Sequence, residues 1–136
     1  MNSLIQWCIK TAIQEEIKEH HIPTAIINIE KERLQQILEE WLTIEKTRTP
    51  FKIEALERWQ KTTLGKISLN TKVDRIDALS NGTYAIIDYK TGSAHIHSWF
   101  RDRPEEPQLP LYAISETKPI GVIAFAQLKA NHICFK

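Results

Sequence analysis

Cysteine is scarce in this 136-residue chain. Cys8 and Cys134 stand alone with no Cys-x-x-Cys spacing, so no zinc or iron–sulfur framework is visible. Two lone thiols read as reduced cysteines of a cytosolic protein. An excess of one charge is also lacking. Lys+Arg 18 against Asp+Glu 17 leaves net +1, so no global field favours nucleic acid, and any such affinity must come from a local patch. No apolar run reaches membrane-spanning length. Met1-Asn2-Ser3-Leu4 lacks the basic flank and apolar core of a signal peptide. No internal repeat, low-complexity stretch or Gly-x-x-x-x-Gly-Lys-Ser/Thr phosphate loop occurs, so any nucleotide-driven motor lies elsewhere.

What is present suits one compact domain. At 42% hydrophobic residues the chain can bury a core without staples. Leu4, Ile5, Cys8, Ala12, Ile13 and Ile17 recur at helical spacing, with Trp7 and Ile9 widening the apolar face. His20-His21-Ile22-Pro23 ends that helix. Adjacent histidines point to different sides of a helix, which disfavours a metal pair there. A second helix carries Leu34, Ile37, Leu38, Trp41 and Leu42 on one stripe, with Asn28 as its N-cap and Thr49-Pro50 as its end. Phe51 to Gln60 reads as a strand with Ile53, Ala55 and Glu57 on one face, and residues 61–65 as a turn.

The chemistry gathers in the next two strands. Lys66 to Asp77 alternates apolar with polar residues and ends in acids. Asn81-Gly82 then signals a hairpin. The apolar run Ala85-Ile86-Ile87 ends in Asp88-Tyr89-Lys90-Thr91-Gly92. A buried strand does not normally finish in two charges, since both would have to leave water. Alternation puts Asp88 and Lys90 on one face, where they could hold a divalent cation and steer a water or phosphate oxygen. A plain ion pair is the other reading. The hairpin makes Asp74 and Asp88 candidates to meet across the sheet. Two carboxylates near one lysine is the composition of a magnesium site.

Farther on, His95-x-His97 lies in a polar loop beside the acids and reads as surface. Trp99, Phe100, Arg101 and Arg103 suit base stacking and phosphate pairing, although Trp99 could equally fold into the core. Glu105 to Ser115 reads as a short helix with Gln108 and Tyr112 on one face. Strands over Ile120 to Leu128 and His132 to Phe135 close the pattern. Two helices, three strands, a helix and two strands make a mixed α/β domain.

Val73-Asp74-Arg75-Ile76-Asp77, Ile87-Asp88-Tyr89-Lys90-Thr91-Gly92 and Gln108-Leu109-Pro110-Leu111-Tyr112 together resemble the nuclease module of RecB-type helicase-nucleases, part of the PD-(D/E)XK nuclease superfamily. The order and spacing of all three agree, most closely with bacterial proteins described as probable DNA repair proteins or RecB-family exonucleases. The resemblance implies a restriction-endonuclease-like mixed sheet flanked by helices. It implies a single domain, helical over 1–49 and catalytic over 50–136, from the C-terminal part of a larger cytoplasmic bacterial protein. It also implies a metal-dependent deoxyribonuclease, an exonuclease of DNA repair or recombination, fed by a helicase domain or subunit and independent of membranes. Asp74, Asp88 and the Tyr89 carbonyl would bind Mg²⁺ or Mn²⁺, and Lys90 would orient the attacking water or stabilise developing charge. Gln108 and Tyr112 would hold the DNA, with Arg101, Arg103 and Trp99 beside them. Glu57, or second Glu54, matches a glutamate that related nucleases keep on this strand.

Some relatives carry a four-cysteine iron–sulfur cluster, which two cysteines cannot build. Relatives also place a histidine in a Gly-Thr-x-x-His-like helix ahead of this region. His20 and His21 lack that pattern, so the chain is expected to start just after the motif, to fold, and to cleave weakly or not at all alone. The main rival is a nuclease-like DNA-binding or assembly module that does not cut. A penicillin-binding reading of Lys90-Thr91-Gly92 fails, because Ser115-x-x-Lys118 follows it instead of preceding it and no Ser-Asp-Asn occurs.

Overall fold

The computed structural model describes residues 2–136. Two compact units follow one another, the first ending at Thr47 and the second spanning Arg48–Lys136. The first consists of α1 (Asn2–Glu19) and α2 (Thr24–Thr47). Ile5, Ile9 and Ile13 form the buried stripe of α1 and pack with Ile27, Leu34, Leu38 and Leu42. This stripe advances four residues at a time, so Leu4 and Trp7 fall off it and stay exposed. The expected cap at Asn28 is not used. Pro23 interrupts the chain and also starts α2, its carbonyl accepting the N–H groups of Ile26 and Ile27.

The second unit is a five-stranded mixed sheet in the order β1-β2-β3-β4-β5, the α/β arrangement expected from the sequence. The strands are β1 (Phe51–Leu64), β2 (Ile67–Leu79), β3 (Tyr84–Lys90), β4 (Ile120–Lys129) and β5 (His132–Phe135). Only β3 and β4 run parallel. A parallel pair needs a long crossover, and the chain between them supplies it with a 3-10 turn (Ile96–Phe100) and α3 (Gln108–Ser115). Val73, Ile76, Ile86, Leu109, Tyr112 and Phe125 form the core between sheet and α3. Each large side chain there contributes about 1.5–3 kcal/mol by leaving water.

Several boundaries differ from the sequence expectation. β1 does not stop at Gln60 but continues to Leu64, because β-branched Thr62 and Thr63 keep pairing, with Leu69 and Ser68. The turn shrinks to Gly65-Lys66, with Gly65 at φ 57, a conformation glycine adopts without a Cβ penalty. α3 begins at Gln108, three residues late, because Pro107 precedes it and Pro110 fits only in a first turn, where its missing N–H is not needed. The hairpin at Asn81-Gly82 forms as expected. Asn81 Oδ1 accepts the N–H and hydroxyl of Thr83, and Gly82 takes φ 83.

Candidate active site

β2 and β3 bring the two acids together at the point where their pairing ends. Arg75 pairs with Ile87 and Ile76 with Ile86, so Asp74 and Asp88 take the next opposed positions. The ladder opens there. Asp74 Oδ2 accepts the backbone N–H of Tyr89 at 2.9 Å, which pins the acid beside β3. Asp88 is buried, 6% exposed, and its Oδ2 has no hydrogen-bond partner among the described residues. Lys90 Nζ lies 3.0 Å from that oxygen as an ion pair. Asp88 is in register with Phe125 of β4, and Lys90 Nζ sits 5.5 Å from the Phe125 ring centroid.

Electrostatics follow from that burial. Desolvation pushes the Asp88 carboxyl above its ordinary range, and the carboxylates of Asp74 and Glu106 push it further against the pull of Lys90. Burial disfavours the charged Lys90, but pairing with Asp88 outweighs it and the net shift is upward. Lys90 is therefore an ammonium at neutral pH.

Tyr112 is not free for a ligand: it is 2% exposed, and its hydroxyl donates to the Lys72 carbonyl at 2.6 Å. It thus ties α3 to β2 two residues before Asp74. Desolvation and the fields of Asp88 and Asp74 raise its pKa. Gln108, one turn earlier, is exposed. Trp99 turns inward: its ring lies 5.0 Å from that of Phe125 and its indole N–H donates to the Glu106 carbonyl. The aromatic that meets solvent is its neighbour Phe100, at 82% exposure. Arg101 pairs with Glu105 at 2.9 Å, and Arg103 is exposed. His95 and His97 are exposed too.

Glu57 departs from the expected alternation. A register shift lies between Ile53 and Ala55, so these residues do not share a face with Glu57 in the simple way. Leu56 pairs with Arg75 and Arg58 with Val73, which puts Glu57 at the position opposite Asp74. Its φ is 50 and its carboxylate is turned to Lys72. Glu54 pairs with Lys118 at 2.6 Å.

Two contributors escape a local reading. Glu106 lies eighteen residues after Asp88 in sequence, yet its charge acts on both Asp88 and Lys90. Gln127 is buried on β4. Its Oε1 accepts the Ala94 N–H and its Nε2 donates to the His132 carbonyl, while Lys136 Nζ donates to the Ala94 carbonyl. These bonds hold the chain just beyond Lys90-Thr91-Gly92. No motif signals them, because β4 and β5 reach that loop only through the fold.

Among the described residues, no three His, Cys, Asp or Glu side chains form a metal cage. Two carboxylates, one with a buried oxygen lacking a hydrogen bond, fit a hydrated magnesium ion, which keeps several waters and takes one or two carboxylates. Among the described residues no helix is long and apolar enough to cross a membrane. The sequence profile of the PD-(D/E)XK nuclease superfamily matches residues 1–116, a stretch holding Asp74, Asp88, Lys90, Gln108 and Tyr112. No curated protein matches the chain.

Proposed function

Given that this chain belongs to the PD-(D/E)XK nuclease superfamily, we propose that it hydrolyses phosphodiester bonds in DNA, as an exonuclease of repair or recombination. Nucleases of this superfamily generally work with a divalent metal. The observation that carries the reading is the buried Asp88 oxygen, left without a hydrogen bond beside the ammonium of Lys90. One ammonium stands against the charges of Asp88, Asp74 and Glu106, which leaves a net negative field for a further cation.

Asp74 and Asp88, with the Tyr89 carbonyl, would hold Mg²⁺ or Mn²⁺. When bound, such an ion polarises a phosphoryl oxygen and lowers the pKa of a bound water. Asp74 is oriented for this by the Tyr89 N–H. Lys90 stays protonated through Asp88, so it accepts no proton. It orients the attacking water and stabilises negative charge on the phosphate. Tyr112 fixes the spacing between α3 and β2, and Gln108 at the exposed start of α3 contacts the strand. A helicase domain or subunit would deliver that strand.

The test is incubation of the chain with end-labelled single- and double-stranded DNA, in Mg²⁺, Mn²⁺ or EDTA. Weak but metal-dependent shortening from an end is expected. DNA binding without cleavage in any metal would instead favour the non-cutting module, a reading consistent with the lack of a three-residue metal cage among the described residues.

A further inference from the structure

The longest feature outside the site is the ribbon formed by β1 and β2. β2 pairs with β3 only over Arg75–Ala78, whereas β1 and β2 stay paired out to Leu64 and Ile67. Residues 58–73 are therefore a two-stranded arm, with no third strand beside it among the described residues. The arm contains Arg58, Lys61, Lys66 and Lys72 and no Asp or Glu. In a chain of net charge +1, this is the local basic patch that the overall composition lacks. It ends one residue before Asp74.

One face of the arm is defined by the pairs Trp59 with Lys72 and Lys61 with Asn70. Lys72 Nζ lies 5.9 Å from the Trp59 ring centroid, which confirms that the two share that face. Trp59, Gln60, Lys61 and Asn70 line a shallow groove. Trp59 is 68% exposed there. Arg58 and Lys72 have acidic partners in Glu116 and Glu57. The side chains of Lys61 and Lys66 have no ion pair or hydrogen bond among the described residues.

Lysines on an edge strand can simply discourage strand addition. A large exposed tryptophan on the same face works against that purpose, since it offers apolar area to any partner. An aromatic ring interleaved with unpaired cations suits a ligand that has both flat bases and phosphates. We infer that the β1–β2 arm grips single-stranded DNA on the stretch of β2 that leads to Asp74. Trp59 is the base-stacking platform, and Lys61 and Lys66 meet the phosphates. The inference rests on the nuclease reading and adds to it the element that holds the strand.

Fluorescence polarisation of a short labelled oligo(dT) with the full chain, in EDTA, tests this apart from cleavage. Trp59→Ala should weaken binding about tenfold, because stacking is worth about 1–3 kcal/mol per base. Its salt dependence should not change. The double variant Lys61→Ala/Lys66→Ala should make the salt slope shallower by about 1.4, at about 0.7 per single-strand phosphate contact. All three positions are exposed, so unchanged melting curves should accompany these losses. The inference is overturned if the variants bind as the parent does, if the parent does not bind oligo(dT) at low salt, or if Trp59→Ala weakens blunt duplex as much as single strand. Arm variants that bind normally while Mg²⁺-dependent cleavage persists would remove the arm and leave the nuclease. Loss of binding in the arm variants of a chain that never cleaves would keep the arm and remove the nuclease.

Discussion

Asp77 and Asp88 are both buried acids on adjacent central strands, and their surroundings are opposite. Asp77 has no exposed surface. Arg75 grips it with two bonds, Nε to Oδ1 at 2.7 Å and Nη2 to Oδ2 at 3.0 Å, and Arg48 adds a third contact at 2.8 Å. Arg75 donates also to the Tyr89 hydroxyl. Arg48 lies over Phe51 and Phe135, 4.0 and 5.0 Å from their ring centroids. Burial opposes the charge of Arg75, but its bonds to Asp77 and Tyr89 prevail and push its pKa upward. Among the described residues, Asp88 has one paired cation, one oxygen without a hydrogen bond, and two further carboxylates acting on it. A buried charge whose partners are complete is structure. A buried charge whose partners are incomplete has affinity to spare for a ligand. Tyr89 joins the two clusters, with its hydroxyl on Arg75 and its N–H on Asp74.

The sharpest way to break this comparison is to remove each acid in turn. Asp77→Ala should cost about 3–5 kcal/mol of stability in a urea melt, because it leaves two arginines facing an apolar hole. Asp88→Ala should not destabilise the apo protein and should abolish Mn²⁺ binding by calorimetry. Equal losses of stability in both variants would erase the distinction between the two acids.

Next in size is Lys90. Lys90→Ala should lower the cleavage rate about 10²–10³-fold, the effect of losing one preorganised charge contact, with DNA binding retained. Lys90→Arg should not restore it, since a planar fork replaces a compact ammonium. Wild-type turnover in either variant would remove Lys90 from the chemistry.

A smaller effect should appear with pH. Asp88 binds its proton more tightly in the folded state than in the unfolded one, because burial raises its pKa above the ordinary 3.8. Its contribution to stability is complete below 3.8 and is lost as pH rises through the raised value. Asp88→Asn should flatten that part of the stability–pH curve. Mn²⁺ affinity of the parent should climb over the same window, since the ion needs the carboxylate. An Asn variant with the parental slope would assign the titration to another group.

The smallest effect concerns Glu57. At φ 50 it is strained, and Glu57→Gly should stabilise the fold by about 0.5–1 kcal/mol, the strain relieved less the entropy glycine loses on folding. The exposed Lys72 partner subtracts little. Mn²⁺ affinity should change far less than in Asp74→Ala or Asp88→Ala. A comparable drop would make Glu57 a third member of the site.

Legibility in the sequence tracked locality. The Asn81-Gly82 hairpin, the Asp88-Tyr89-Lys90 strand end and the element order were all readable, because turn chemistry and side-chain alternation act over a few residues. Glu57 was harder, since a register shift and one positive φ undo alternation and neither has a sequence signature. Trp99 could be weighed as core or surface but not decided. Its place depends on Phe125, which lies across the parallel pair.

By itself, the sequence determined that an acid and a lysine would share one face at the end of a buried strand, two acids having preceded them across a tight hairpin. Period-two geometry and the glycine turn require that much. Tertiary structure alone decided which acid would be sated. Arg48, Arg75 and Tyr89 converge on the Asp77 side of the sheet, whereas Lys90 is the one cation shown paired with Asp88. That choice depends on which side chains several strands deliver to one buried volume, and on desolvation, which appears only once those strands have closed over the charge.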